Sequence, residues 1–308
     1  MALIEKLKKM ATDKPIGHIM KNFAKTSASH PYLMARENAK FLSRCFFGAT
    51  ERPKEGLRLE HHCHSNFSDG DELGDVIELL FANKISLCSL TDHNNFDAFD
   101  SLRYGIYKPK AKNDANKKYE LAFSNDNRSM IIHSGKQQLV LLRSAEVLTN
   151  KGEIGIHGYG GRVPKIGTPF NDAIRQAIDY GAYAVINHPY HWSGIGFHGR
   201  GYIELAIQSG AAAIEKNGTE IPFQIYSPVK AELDAKYFDV PLVTAGDAHR
   251  LNMYGLSGLT FKEKDYELAL ANNSGNHADA IKCLIASSKF ETYLNYLTPE
   301  EVSGFFPE

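Results

Sequence analysis

The 308-residue chain lacks a surplus of charge of either sign. It holds 35 lysines and arginines against 36 aspartates and glutamates, a formal net charge of −1. This balance argues against a general nucleic-acid coat or a basic protein of the membrane surface, although it leaves room for a local basic groove. Wholesale disorder is excluded, because 43% of the residues are hydrophobic. The length suits a single α/β barrel, since barrels of about 250 residues fold as one unit.

Long apolar runs and clustered cysteines are missing as well. No apolar run approaches the roughly 20 residues that span a bilayer. The stretch from Met1 to Lys14 carries lysines, but it has no apolar core with a small-residue cleavage site of the kind found in signal peptides. The four cysteines are scattered and form no CxxC pair. We therefore expect reduced thiols, no disulfide scaffold and a cytoplasmic location.

The first 56 residues differ in pattern from the rest of the chain. Ile4, Leu7 and Met10 lie at helical spacing, with lysines between them. Similar spacings recur further on, and prolines divide the stretch. We predict two or three helices that form an N-terminal helical extension over residues 1–56. This extension either packs on the main domain or serves as an arm that binds a partner protein.

From residue 57 onward, short apolar runs alternate with amphipathic segments. The alternation predicts βα units and a parallel sheet, and the number of units favours a closed barrel over residues 57–308 with a C-terminal helical tail. The predicted strands cover 57–63, 85–90, 182–187, 211–216 and 241–245, and the predicted helices cover 72–83, 172–180 and 228–238.

An insertion at about residues 95–140 interrupts this alternation. Two apolar runs around Ser134 and Gly135 predict a hairpin. An insertion of this length near a barrel mouth is typically functional or mobile. The segment also contains a basic cluster that could line a groove for nucleic acid, formed by Arg103, Lys108, Lys110, Lys112, Lys117 and Lys118.

Histidines and carboxylates recur at the ends of the predicted strands. His62 and His64 share one face of the first strand, because residues two apart on a strand point the same way. Taken singly, such residues are also typical of a hydrogen-bonded barrel rim. Together they would converge at one barrel mouth. The further members of the set are Asp69, His93, Glu146, His157, His188, Asp247 and His249.

This set predicts a multinuclear metal site. Imidazoles and carboxylates are suitable ligands for Zn²⁺, Mn²⁺ or Fe²⁺, and too few thiols are present for a cysteine-rich site. The donors outnumber the four that one tetrahedral ion uses, so two or three divalent ions are expected.

These motifs resemble those of the PHP (polymerase and histidinol phosphatase) family. The opening motif of that family, HxHTxxSDG, stands here at residues 62–70, and its TDH motif at 91–93. Its glutamate matches Glu146, its HP motif begins at His188, and its DAH motif stands at 247–249. The resemblance covers about residues 57–254. It implies a distorted (β/α)₇ barrel with a trinuclear metal site.

The resemblance also implies how the ligands are shared. The first metal would be bound by His62, His64, Glu146 and Asp247, and the third by Asp69, His93 and His249. Glu146 would bridge to the second metal, which His188 also binds. The remaining histidine of the second site falls at Gly155 here. His157 lies two positions further on the same face, and it could substitute if the strand bulges at Gly155.

The implied function is that of a metal-dependent phosphoesterase. A hydroxide that bridges two metals, held by Glu146, would hydrolyse a phosphomonoester or a nucleotide-type substrate. Arg200 and Arg250 are candidates for binding its phosphate, with a solvated surface charge as the alternative for each. Two other functions stay open. One is a nuclease or repair component that acts on an oligonucleotide end, and the other is a non-catalytic metal-binding regulator.

Overall fold

A computed structural model describes residues 24–47, 55–109, 119–218, 226–298 and 301. The strands are β1 (Leu57–Cys63), β2 (Leu87–Leu90), β3 (Glu120–Phe123), β4 (Ser129–Ser134), β5 (Gln137–Arg143), β6 (Ala145–Thr149), β7 (Gly152–His157), β8 (Tyr183–Ile186), β9 (Ala213–Asn217), β10 (Leu242–Ala245), β11 (Gly258–Phe261) and β12 (Glu291–Tyr293). The helices are α1 (Pro31–Phe47), α2 (Leu73–Ala82), α3 (Asp97–Arg103), α4 (Phe170–Asp179), α5 (Arg200–Gln208), α6 (Tyr226–Phe238), α7 (Glu263–Asn272) and α8 (His277–Ala286).

These strands form two mixed sheets. The first has the order β12-β11-β1-β2-β5-β4-β3 and the second the order β10-β9-β8-β7-β6. The β1-β2-β5 and β8-β9-β10 neighbours are parallel, as predicted. Buried parallel strands are rich in apolar residues on both faces, and this explains the short apolar runs of the sequence. The mixed α/β class is confirmed, with the described strands divided between two sheets.

The prediction of a purely parallel sheet is wrong around β6 and β7. β7 pairs antiparallel with both β6 and β8. Thr149 pairs with Gly152, so only two residues connect β6 to β7. A parallel connection needs a crossover of a dozen or more residues, so this short turn dictates a hairpin.

Helices cover the sheets with apolar faces. Val76, Ile77 and Leu80 of α2 are buried in one core cluster, together with residues of β2 and β5. Ile281 and Leu284 of α8 are buried in another, which includes residues of β1 and β10. Each fully buried side chain of this size contributes about 2 kcal/mol through the apolar area removed from water. The helical tail predicted near the C-terminus is present as α7 and α8, and β12 follows it.

The α1 helix is fastened to the domain by a buried charge network. Met34 packs in the same core cluster as Val229 of α6. The Lys216 ammonium on β9 lies 3.0 Å from Glu37 and 2.9 Å from Glu232. Arg36 is 2.5 Å from Glu232, and the hydroxyl of Tyr296 donates to Glu37. Burial opposes the charge on Glu37, but the Lys216 ammonium outweighs it and the pKa of Glu37 lies below its ordinary value.

The described residues test only part of the predictions for the N-terminal region and the insertion. One helix of the predicted extension is present as α1, whereas residues 1–23 and 48–54 lie outside the described part of the chain. The division at residue 56 stays a prediction. The hairpin around Ser134 and Gly135 is confirmed, because β4 pairs antiparallel with β5. The lysines of the basic cluster from 110 to 118 fall outside the described residues. Among the helices described, none combines the length and hydrophobicity of a transmembrane span.

Candidate metal centre

Two β-bridges bring the polar strand ends together. Cys63, between His62 and His64, bridges to Ala248, and His93 bridges to Glu146. The backbone amide of His64 donates to the carbonyl of Ala248 at 2.9 Å. The end of β1 is therefore joined to the segment after β10, and the segment after β2 is joined to β6. These joints gather the predicted ligands around Glu146.

The first ligand group is buried and closely spaced. It consists of His62, His64, Glu146 and Asp247, with one donor atom from each within 4.8 Å of the others. The Nε2 atom of His62 lies 3.4 Å from Glu146 Oε1 and 3.3 Å from Asp247 Oδ1. Ligand atoms that share one tetrahedral ion at bond lengths near 2.1 Å lie about 3.4 Å apart. The observed spacing therefore matches a single divalent ion.

Glu215 orients the first of these histidines. Its Oε2 atom lies 2.9 Å from Nδ1 of His62, and both side chains are fully buried. Burial opposes the charge on Glu215, but the neighbouring His62 outweighs it, so the pKa of Glu215 is lowered. When Nδ1 donates to this carboxylate, the lone pair of Nε2 faces the ligand group. A carboxylate in this position fixes the tautomer and raises the basicity of a metal-binding histidine.

A second ligand group lies nearer to solvent. It consists of His64, Asp69, His93 and His249. The Oδ2 atom of Asp69 is 3.5 Å from Nε2 of His93 and 3.4 Å from Nε2 of His249. Burial opposes protonation of His249, but Asp247 and Asp69 together raise its pKa to about 9. The Asp69 side chain is 54% exposed, so this group faces the open side of the centre.

Glu146 contacts residues on both sides of the centre. Its Oε2 atom lies 3.2 Å from Nδ1 of His93, and its Oε1 atom lies 2.9 Å from Nε2 of His188. Asn187 donates to Oε1 at 2.8 Å. Burial disfavours the charged forms of both Glu146 and His188. The neighbouring His62 and His188 nevertheless lower the pKa of Glu146, and the contact with Glu146 raises the pKa of His188 to about 10. This central position suits a bridging carboxylate, which stays a prediction.

The backbone is strained at two of these strand ends. His188 has φ of 21° and Asp247 has φ of 45°, both in the left-handed region. Such a conformation costs a non-glycine residue on the order of 1–3 kcal/mol and is concentrated at functional sites. Here it directs two candidate ligands from the ends of β8 and β10 into the centre.

His157 is not brought into either ligand group. Its ring stacks on His61 and Tyr183, with centroid distances of 4.2 and 4.9 Å. Neither ring nitrogen has a hydrogen-bond partner among the described residues. The bulge expected at Gly155 is absent, because Gly155 pairs in regular register with Glu146 on one side and Val185 on the other. Without a bulge, His157 stays two residues beyond Gly155, the position at which the resemblance expects a histidine.

Sequence analysis missed Glu153, which lies two residues before Gly155 on the same face of β7. Its Oε2 atom is 3.7 Å from Nε2 of His188. It also forms a third group of donor atoms with His93 and Glu146, all within 4.8 Å of one another. The usable signal was the period of two along the strand, which places 153, 155 and 157 on one face. Without that signal, a charged residue next to the Lys151-Gly152 turn would be expected to face solvent at the end of a hairpin.

The two candidate phosphate-binding arginines have different surroundings. The Arg200 guanidinium lies 2.8 Å from Asp234 and stacks on the ring of Tyr237, so it is engaged with α6. Arg250 directly follows His249, is half exposed, and lies 3.4 Å from Asp71. Arg250 is thus next to a candidate ligand in sequence, whereas Arg200 is engaged with another helix.

Comparison with known proteins shows the fold. No family model matches the sequence, and no curated protein gives a significant match. Solved structures do match. A two-domain protein from Bacteroides vulgatus that contains a predicted PHP-like metal-dependent phosphoesterase superposes with a TM-score of 0.52 at 15% identity, over 80% of this chain and 68% of that one. PsfC from Pseudomonas syringae superposes with a TM-score of 0.55 at 13% identity, over 80% and 95% of the two chains. The PHP resemblance stated from the sequence is thus confirmed at the level of the fold.

Proposed function

We propose that this protein is a metal-dependent hydrolase of phosphoester bonds that uses two or three divalent ions. The observation that carries the proposal is the set of three overlapping donor groups around Glu146. Histidine–carboxylate spacings of 3.1–3.6 Å in the buried group are close to those around one ion. Imidazole and carboxylate donors suit Zn²⁺, Mn²⁺ or Fe²⁺.

The proposal assigns one ion to each side of Glu146. His62, His64, Glu146 and Asp247 would hold the first ion, and Asp69, His93 and His249 the exposed one. His188 and Glu146 border a further position. Divalent ions bound there supply Lewis acids that stabilise a phosphoryl group and make water acidic enough to attack at neutral pH.

The protein's own residues then prepare the reaction. Glu215 holds His62 in the tautomer that presents Nε2 to the centre. Glu146 and Asp247 are buried among imidazoles, so their charge favours a divalent cation over a free anion. Arg250, which directly follows His249 and lies 3.4 Å from Asp71, would bind a phosphate oxygen.

We also infer that the two sheets close into the distorted barrel that the sequence favours. The bridge from Cys63 to Ala248 joins the end of β1 to the segment after β10, and the bridge from His93 to Glu146 joins the segment after β2 to β6. Both edges of the second sheet are thereby linked to the first sheet at the metal centre.

The test is a substrate panel on metal-free protein reloaded with Mn²⁺, Zn²⁺ or Fe²⁺. The panel contains mononucleotides, sugar phosphates, histidinol phosphate and a short single-stranded oligonucleotide. We expect metal-dependent hydrolysis of at least one member, with cleavage of the oligonucleotide alone indicating the nuclease alternative. Equal turnover with and without metal, or no turnover of any member by the loaded protein, would overturn the proposal.

A further inference from the structure

We propose that Glu153 is a metal ligand, and that it completes the position beside His188 in place of the imidazole that Gly155 lacks. The inference rests on the proposed function, because it concerns the same metal centre. It assigns to that position two carboxylates and one imidazole, a donor set richer in oxygen than the other two groups.

The geometry places Glu153 within reach of the position. Its Oε2 atom lies 3.7 Å from Nε2 of His188, which in turn lies 2.9 Å from Oε1 of Glu146. Donor atoms of Glu153, Glu146 and His93 also lie within 4.8 Å of one another. The Glu153 side chain is only 14% exposed, so it turns inward although it stands next to a surface hairpin. Glu153 and Glu146 thus share a donor group with His93, and His188 lies within 3.7 Å of both carboxylates.

The backbone fixes Glu153 relative to His188. The amide of Glu153 donates to the carbonyl of Ser193 at 2.9 Å, and Glu153 bridges to Gly194 in the loop that follows His188. Gly152 permits this contact. It adopts φ of 123°, and a Cβ atom there would lie 2.4 Å from the carbonyl oxygen of Ser193. The hydrogen bond from the Glu153 amide to Ser193 therefore fixes the backbone of Glu153 relative to the loop that follows His188.

The proposed position concentrates negative charge. Glu146 and Glu153 are neighbouring carboxylates in a largely buried site, where like charges repel strongly. Within the described residues, neither forms an ion pair with a lysine or an arginine, and their ionic partners are histidines. A bound divalent ion would remove this repulsion.

His157 does not replace the missing imidazole ligand, because its ring is not part of any donor group that the described residues form around Glu146. Its Nε2 atom lies 2.6 Å from the point where a Cβ atom of residue 155 would stand. A histidine at 155 would extend a whole imidazole ring beyond that point, toward Glu146. The amide of Asn187 occupies the same space, with Oδ1 2.6 Å from the Cβ point. The place of the missing imidazole is thus occupied by the edge of the His157 ring and by the Asn187 amide, which donates a hydrogen bond to Glu146.

The donor set also predicts the ion. Carboxylate ligands suit Mn²⁺, whereas imidazole suits Zn²⁺ and Fe²⁺. The buried first group has two imidazoles and two carboxylates, and the exposed group is mostly imidazole. The position beside His188 is therefore the one at which Mn²⁺ competes best with Zn²⁺.

The first experiment counts metal ions in Glu153→Gln and His157→Ala after loading with Mn²⁺, with folding checked by circular dichroism. Glu204→Gln, the same change at an exposed position of α5, is the control. We expect Glu153→Gln to bind one equivalent fewer than the parent protein, and His157→Ala and the control to bind the full number. A full complement in folded Glu153→Gln, or a lost equivalent in folded His157→Ala, would overturn the proposal.

The second experiment restores an imidazole with Glu153→His. We expect the lost equivalent to return and the competition between Mn²⁺ and Zn²⁺ to shift toward Zn²⁺ by tenfold or more.

Trp192, the only tryptophan of the chain, reports on this position. Its ring lies 5.3 Å from that of His191, which lies 5.2 Å from that of His188.

Paramagnetic Mn²⁺ should therefore quench the Trp192 fluorescence of the parent protein, and Glu153→Gln should reduce that quenching. Unchanged Mn²⁺ and Zn²⁺ competition in Glu153→His would contradict the proposal even if Glu153→Gln failed to fold. Neither readout requires a substrate. A failed substrate panel therefore leaves this test intact, and a failed ion count leaves the hydrolase proposal intact.

Discussion

Glu215 and Lys216 are neighbours on β9, yet their side chains enter two different buried clusters. Successive residues of a strand point to opposite faces, so Glu215 turns toward His62 and Lys216 toward α1. The α1 network contains its own cations, Arg36 and Lys216, facing Glu37 and Glu232. In the metal centre, the ionic partners of Glu146 and Asp247 within the described residues are all histidines.

The difference separates a structural cluster from a functional one. A charge network that serves stability pairs its ions within the chain, because an unpaired buried charge is costly. A metal centre pairs its carboxylates with imidazoles, which release their protons when a divalent ion binds. The two faces of β9 thus carry buried charged residues of similar type, one in a cluster that stabilises the fold and the other in the candidate metal centre.

The largest effect should follow from Glu146→Gln, which removes the charge shared by both sides of the metal centre. We expect phosphoester hydrolysis to fall by several orders of magnitude, with more than one equivalent of metal lost and the fold retained. Elemental analysis and turnover on the best panel substrate check this. Near-normal turnover with a full metal complement would show that Glu146 is not the bridge.

The matching change in the other cluster is Lys216→Met. It leaves the buried Glu37 and the nearby Glu232 without the ammonium that contacts both, so the free energy of unfolding should fall by about 3 kcal/mol. The number of bound metal ions should not change. Denaturant unfolding and ion counting measure the two quantities. If metal is lost while stability is kept, the two faces of β9 are not independent.

Glu215→Gln tests the same strand from the metal side. Glutamine keeps a similar shape but removes the charge that orients His62. We expect the affinity for one ion to fall about 10–100-fold, as for other carboxylates that support a histidine ligand. Competition with a chelator measures this affinity. The metal-free protein should also lose on the order of 1–3 kcal/mol of unfolding free energy, because the substitution weakens a buried hydrogen bond to a charged group.

Acid should affect the α1 network through Glu37. Its pKa is lower in the folded protein than the ordinary value of 4.5. Its charged form therefore contributes stability that is present above that value and is lost as the pH falls through the lowered pKa. In metal-free protein, the difference in unfolding free energy between the parent and Glu37→Gln should shrink as the pH falls from 7 to 3. A constant difference would mean that the charge of Glu37 is unimportant.

The smallest effect concerns the two arginines. Arg250→Ala should raise the KM of a phosphoester several-fold and change kcat little, because the side chain lies beside the exposed ligand group. Arg200→Ala should leave both constants unchanged, since Arg200 is engaged with Asp234 and Tyr237. Steady-state kinetics on one substrate compare the variants. Equal effects would place both arginines, or neither, at the phosphate.

Local patterns were sufficient to predict much of the fold. The β1 strand begins and ends at the predicted residues, and α2 lies within the predicted range, because both have clear periodicity and distinct boundaries. The antiparallel β7 was not anticipated. Its run of glycine, isoleucine and histidine carries no signal of direction, and only the two-residue turn before it determines the pairing.

The candidate ligands also divide into those that local sequence patterns predict and those that depend on distant pairing. His62, His64, His93, Asp247 and His249 follow short motifs at strand ends, and the structure gathers them. Glu153 and Glu215 were missed because each belongs to the centre only through pairing with a distant strand or side chain. His157 was predicted from the resemblance, from its parity with Gly155 and from an expected bulge there. Parity cannot show whether a strand shifts along its neighbours, and β7 pairs without a bulge at Gly155.

The left-handed backbone at His188 and Asp247 has a consequence for protein engineering. Glycine at either position would relieve strain and stabilise the metal-free chain, while it would also remove a candidate ligand. Selection for thermostability alone would therefore tend to remove the centre first. A library screened for heat resistance in the presence of a chelator should accumulate glycine at 188 and 247, and one screened with metal present should retain histidine and aspartate. The centre is where this fold exchanges stability for activity.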